Sequence, residues 1–172
     1  MKKSKYFNDI PFWPQLSNIS KKEDMTFQFL EGMPSFNYSY NFKFDTDDEV
    51  FFENLETFFT DYEDITVNKN YNKLEKYAIT EDFSKTFNDF LKLAQNKNYA
   101  KGQIVGPFTL ASTLKDKDEN SAIYDETLKE IIVKLLSLKA LWQIKRIKQQ
   151  GTKPIIFIDE PTLSQLGTSA YL

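Results

Sequence analysis

Apolar and polar positions follow one another along this chain in two rhythms, one helical and one extended. Across residues 45–64, Phe51, Leu55, Phe58, Phe59 and Tyr62 recur at intervals of three and four, which lines them up on one face of an α-helix. Acids crowd the first turn, where the helix dipole favours negative charge, and Asp45 is the expected N-cap. A second helix is predicted over residues 80–96, starting at Thr80, with Phe83, Phe87, Phe90, Leu91 and Ala94 in line. The longest is predicted over 123–150, its stripe running through Ile131, Leu135, Leu138, Leu141 or Trp142, and Ile144 or Ile147. Gly151 follows as the residue that closes it, shortly before Pro154. Ser20 and Glu23 have the spacing of a capping box, so a shorter helix carrying Met25, Phe27, Phe29 and Leu30 is predicted, stopped by Gly32 and Pro34.

The extended rhythm is sparser. Residues 10–13 read as a brief strand that runs into a loop at Pro14, since proline cannot donate to a central ladder. Residues 35–45 alternate as a strand or hairpin arm would. Residues 103–105 form a short apolar strand broken by Gly106-Pro107, and residues 155–158 form another that runs directly into Asp159, Glu160 and Pro161. A polar loop over 115–121 separates the first of these from the long helix. Strand, loop, helix, glycine and strand over 103–158 make a βαβ unit, which builds parallel sheets with strands apolar on both faces. No repeat or linker divides the chain, and 172 residues suit one domain, for which roughly 100–200 is usual.

Composition narrows the chemistry. A net charge of −3 gives no basic face for nucleic acid or an anionic membrane. No apolar run approaches the roughly 20 residues of a membrane span, and the N-terminal lysines precede no apolar signal core; a cytoplasmic location is the expectation. The chain has neither cysteine nor histidine. Disulfides, thiolate metal sites, imidazole general bases and Ser-His-Asp catalysis are therefore excluded for this chain alone. Catalysis would fall to carboxylates, lysines, tyrosines or a partner.

In parallel α/β folds ligands sit at the carboxyl ends of the strands. Three such ends are predicted, at Trp13-Pro14-Gln15, Gly106-Pro107-Phe108-Thr109 and Asp159-Glu160-Pro161. Proline fixes its own φ and restricts the residue before it, so Pro161 can hold the acid pair in a set direction. Two readings stand side by side. Asp159 and Glu160 either face a ligand or cap the next helix by accepting backbone N–H groups; Gly106-Pro107 is either pocket lining or a tight turn; Gln15 is either a site residue or part of a loop. The acids at 45–49 lack the glycine and terminal glutamate of a calcium loop.

Taken in order, "IPFWPQL" with "EDMTFQFLEGMP", then "GQIVGPFTL" and "IIFIDEPTL", resemble the barrel of cobalamin-independent methionine synthase. The resemblance extends to the stand-alone proteins grouped with it and with uroporphyrinogen decarboxylase. It implies an α/β fold, a partial (β/α)8 TIM barrel holding roughly strands two to four with their helices, as a single incomplete domain. It also implies methyl transfer to a zinc-activated thiol such as homocysteine, with Asp159 holding the substrate amino group, Gly106 and Pro107 lining the pocket beside Glu160, and Gln15 near a family position that is acidic.

The departures are specific. Thr113 and Gln165 stand where the synthases carry a tryptophan and a glutamate that seat folate, which speaks against a folate donor. The family's zinc ligands lie on later strands, so this chain is expected to carry no metal ligand and no catalytic residue of its own and to be inactive alone. It is expected to associate with the barrel remainder or with itself. The resemblance leaves two alternatives, a uroporphyrinogen decarboxylase-like enzyme, which would need arginines where this chain has only Arg146, and a non-catalytic interaction module derived from the barrel.

Overall fold

The computed structural model describes residues 9–39 and 41–167. The fold is α/β. In chain order it runs β1 (Lys43–Phe44), α1 (Glu49–Thr66), α2 (Phe87–Ala94), β2 (Tyr99–Val105), α3 (Pro107–Thr113), β3 (Lys115–Asp116), α4 (Glu126–Lys148) and β4 (Lys153–Asp159), with short 3-10 turns between. The strands form two small parallel sheets, β1 with β3 and β2 with β4, and the described residues close no barrel. The β2–β4 ladder runs from Tyr99 opposite Lys153 to Val105 opposite Asp159, and α4 makes the crossover between them, as the βαβ pattern predicts.

On the far side of β2, residues 10–13 contribute a single parallel bridge at Phe12–Lys101. Lys101 donates to the Pro11 carbonyl at 2.8 Å and its own carbonyl accepts from Trp13 at 3.0 Å. Pro14 then turns the chain away, and Gln103 is left facing that side without a strand. The side chain of Gln143 on α4 fills the place. It accepts from Gln103 N–H at 3.0 Å and donates to Gln103 C=O at 2.8 Å, so one buried amide completes the backbone pairing that a third strand would have made. Gly102 makes this possible, because a Cβ there would lie 2.3 Å from the Gln143 oxygen.

The core lies between this sheet, α4 and the helices on its flank. Phe51 and Phe58 of α1 are buried as predicted, with Leu55, Phe59 and Tyr62 packed at the margin. Trp13 is fully enclosed and meets Phe87 edge-on at 5.0 Å, and Phe87 stacks on Trp142 at 4.7 Å. The first strand segment, α2 and α4 are thus joined through three rings.

Several elements differ from the reading of the sequence. The helix predicted after Ser20 is two 3-10 turns, Lys21–Glu23 and Phe27–Phe29. The Asp24 carboxylate accepts from Thr26 and Phe27 N–H and restarts the chain there, while Glu23 is drawn into the core to bind Leu16 and Lys85 N–H at 3.1 and 3.2 Å. Asp48 caps α1 by accepting from Val50 N–H; Asp45 pairs with Lys117 instead. Over 80–96, a 3-10 turn at Glu81–Phe83 is cut off from α2 at Ser84, whose hydroxyl reaches back to the Ile79 and Thr80 carbonyls. α4 begins at Glu126 under an Asp125 cap, and β2 starts four residues before the predicted strand, at Tyr99. Residues 35–45 are irregular apart from β1; Tyr40 in that stretch lies outside the described residues. β4 is not enclosed on both faces: Phe157 and Ile158 are 51% and 60% exposed.

One buried cation went unseen in the apolar stripe of α4. Lys139 is fully enclosed and donates to the Ala78 carbonyl at 2.9 Å. Burial pushes its ammonium down from the usual 10.5 to about 7, against the pull of nearby Glu31. The Glu31 carboxylate is itself bound by Thr80 N–H and hydroxyl, both at 2.8 Å.

Two outcomes are expected. Gly102→Ala, which evicts the Gln143 amide, and Gln143→Leu, which deletes it, should each lower stability in urea unfolding by about 1–3 kcal/mol. For Lys139, the unfolded chain binds a proton between pH 7 and 10.5 that the folded chain does not, so stability rises with pH through that window. The penalty for enclosing the ammonium is fully present below about pH 7. Lys139→Met should flatten that slope and raise the urea midpoint most at pH 6; an unchanged slope would refute the assignment.

Candidate functional site

The carboxyl ends of β2 and β4 stand side by side, because Val105 pairs with Asp159 and Asp159 C=O accepts from Gly106 N–H at 2.8 Å. Gly106 is the N-cap of α3 and Pro107 its first residue, a position where the missing N–H costs nothing and the fixed φ suits the helix. The next two amides of α3 point across to the neighbouring strand end. Phe108 N–H donates to one Glu160 oxygen at 2.9 Å and Thr109 N–H to the other at 2.8 Å. Both oxygens of Glu160 are therefore held by the positive end of α3, a charge-assisted arrangement. The Thr109 hydroxyl accepts in turn from Thr162 N–H at 3.3 Å.

Of the two readings open for Glu160, capping describes its carboxylate, and the helix it caps is the one before it rather than the one after. Gly106 is obligatory for this contact, since a Cβ would fall 1.9 Å from the Glu160 carboxyl carbon. The two motifs that stand out in the sequence, Gly-Pro and Asp-Glu-Pro, are thus parts of a single interlock.

Asp159 differs from its neighbour. Strand alternation places it on the same sheet face as Lys101, Gln103 and Phe157, opposite the face on which Gly102 meets α4. It is half-buried, and among the described residues no hydrogen bond or ion pair holds its carboxylate. On the same face, the Lys101 ammonium sits 4.5 Å from the Phe157 ring centre and donates to the Gln103 side chain at 2.9 Å. The structure therefore brings together Gly106, Pro107, Asp159 and Glu160. Gln15 belongs to another network, donating to the Gln28 side chain at 2.8 Å, which in turn donates to the Phe83 carbonyl.

A separate open cavity of about 640 Å³ lies among the loops, floored by Phe27, Leu30 and Phe42 and rimmed by Lys21, Lys43 and Lys115. None of the five predicted site residues lines it. Among the described residues no helix is long and apolar enough to cross a membrane. No protein-family model, curated protein or solved structure matches this chain.

If the Glu160 contact joins the strand ends, Glu160→Ala should cost about 1–2 kcal/mol in urea unfolding, and Gly106→Ala should cost a similar amount or more by displacing the same carboxylate. The double variant should be little worse than Gly106→Ala alone, because both changes remove one interaction. Simple additivity would show that the two residues act independently.

Proposed function

We propose that this chain is a section of a methyltransferase barrel of the kind built by the cobalamin-independent methionine synthases, and that Asp159 binds the ammonium group of an amino-acid thiol. The observation that carries this reading is the contrast between the paired acids. Glu160 is consumed by the N-terminus of α3, which leaves Asp159 half-buried at the carboxyl end of a parallel strand, with no partner for its carboxylate among the described residues. A carboxylate in that position gives a cationic amine a charge-assisted hydrogen bond in a partly desolvated setting.

The order of the extended segments also supports the reading. Residues 10–13, β2 and β4 lie side by side and parallel in the order in which the chain reaches them, with β1 and β3 paired separately; strands of a (β/α)8 barrel follow the same spatial order. Zinc finds no fitting ligands here. The chain lacks cysteine and histidine, and among the described residues no three acids cluster to share a metal. The role of this segment in the proposal is to orient the amino-acid end of the substrate. The decarboxylase alternative draws no support from Arg146, whose guanidinium lies over the Trp142 ring, 5.8 Å from its centre.

Titration of the isotope-labelled chain with L-homocysteine, followed by amide NMR shifts, tests the proposal. Shifts should cluster at Gly106, Val105 and Asp159, and the analogue lacking the amino group should bind about 10- to 100-fold more weakly, the value of a hydrogen bond to a charged group. Asp159→Asn should remove the preference for the amine. Equal binding of both compounds would overturn the reading.

A further inference from the structure

We propose that the open edge of β4 is a self-association surface, on which two copies of the chain pair their β4 strands antiparallel about a two-fold axis at Ile156. The proposal goes beyond the reading above and competes with it: the dimer pairs the Asp159 carboxylate with Lys153 of the second copy and fills the edge on which a barrel would set its next strand, so self-association and amine binding at Asp159 exclude one another.

The backbone of β4 defines the edge. Lys153 N–H donates to the Asn98 carbonyl at 3.2 Å and the Asp159 carbonyl accepts from Gly106, so the odd-numbered residues spend their backbone groups on β2. The even-numbered residues, Pro154, Ile156 and Ile158, turn theirs outward, where no strand among the described residues pairs with them. This edge is long and apolar, with Ile158 60% and Phe157 51% exposed. Monomeric proteins usually shield such an edge with charge, bulges or a covering segment. Phe12, 45% exposed, adds apolar surface on the face that also carries Lys101 and, by alternation, Phe157.

The sequence of β4 is complementary to itself in one antiparallel register. With Ile156 opposite its own copy, Ile155 meets Phe157, Pro154 meets Ile158, and Lys153 meets Asp159. Every apolar residue then faces an apolar one, and the two charged ends form opposite-sign pairs, repeated by symmetry on both sides of the axis. Outward backbone groups match as well. Ile156 exchanges two hydrogen bonds with its copy, and each Ile158 N–H meets a Pro154 carbonyl, so the absent proline N–H removes only one bond per pair. Centring the pair on Phe157 would set Ile155 against Asp159 and Pro154 against Glu160. Centring it on Ile155 would set Lys153 against Phe157. Both lose the match.

Sedimentation equilibrium of the purified chain tests this. The expected species is a dimer in reversible exchange with monomer. Lys153→Glu, an exposed change that sets acid against acid at both ends, should raise the dissociation constant about tenfold or more, and the double reversal Lys153→Glu with Asp159→Lys should restore it. Ile156→Cys should cross-link copies under mild oxidation, since directly opposed hydrogen-bonded residues lie about 5.5 Å apart between Cα atoms, within disulfide reach, and the chain has no other cysteine. Circular dichroism of each variant confirms that it folds. A monomer at every concentration tested, including one that binds only a strand from a different polypeptide, would overturn the proposal. So would a dimer unaffected by the charge changes or uncross-linked at position 156. Amine preference in the homocysteine titration reads the separate proposal for Asp159.

Discussion

The parallel ladder between β2 and β4 is the constraint on which the rest of the structure depends. It joins segments far apart in the chain, fixes α4 as the crossover, and brings two strand-end motifs into register at Val105 and Asp159. Much of what surrounds it serves to complete it. Where Pro14 leads the first strand away, an amide from α4 supplies the missing backbone partners, and the absence of a side chain at Gly102 gives that amide room. The sheet is narrow, yet its central strand has bonding partners on both sides.

Polar groups organise this fold as much as hydrophobic contact does. Glu23, Glu31, Lys139 and Gln143 are all enclosed, and each reaches backbone atoms of a distant segment. Enclosing such groups is tolerable only when their hydrogen bonds are met, so each specifies where a loop must lie. Asp61 works similarly at the margin. Burial opposes its ionisation, but bonds from Lys73, Lys76 and Tyr77 outweigh that and hold its carboxyl below the usual range. Burial of its ring, and after that the same Asp61 contact, raise the Tyr77 phenol.

What could be read from the sequence follows from this division. α1 and α4 were legible because repeated apolar spacing reports directly on which face is buried, and the βαβ order was legible because Gly151 and the apolar runs mark its joints. The Asp-Glu-Pro turn was legible as a special position, with ligand contact and capping both open. That Glu160 caps α3 depends on a partner some fifty residues away, which no local period encodes. Lys139 and Gln143 fall in line with the α4 stripe and look like interruptions of it until the backbone atoms they reach are known. Exposure of Phe157 and Ile158 was equally hidden, since an apolar run says that cover is suited to it and not whether cover is present.

The grip of Glu160 on α3 has a further consequence for how this region tolerates change. Its two oxygens are held by main-chain amides, which every residue except proline provides, so this contact makes no demand on the side chains at 108 and 109, although the buried Thr109 hydroxyl separately accepts from Thr162 N–H. The strict demands fall on the carboxylate itself and on the bare α-carbon at 106. Two strand tips could therefore hold their mutual placement through extensive drift of the surrounding side chains, and a neighbouring acid such as Asp159 would be carried along in a steady orientation while the residues facing it were exchanged for others.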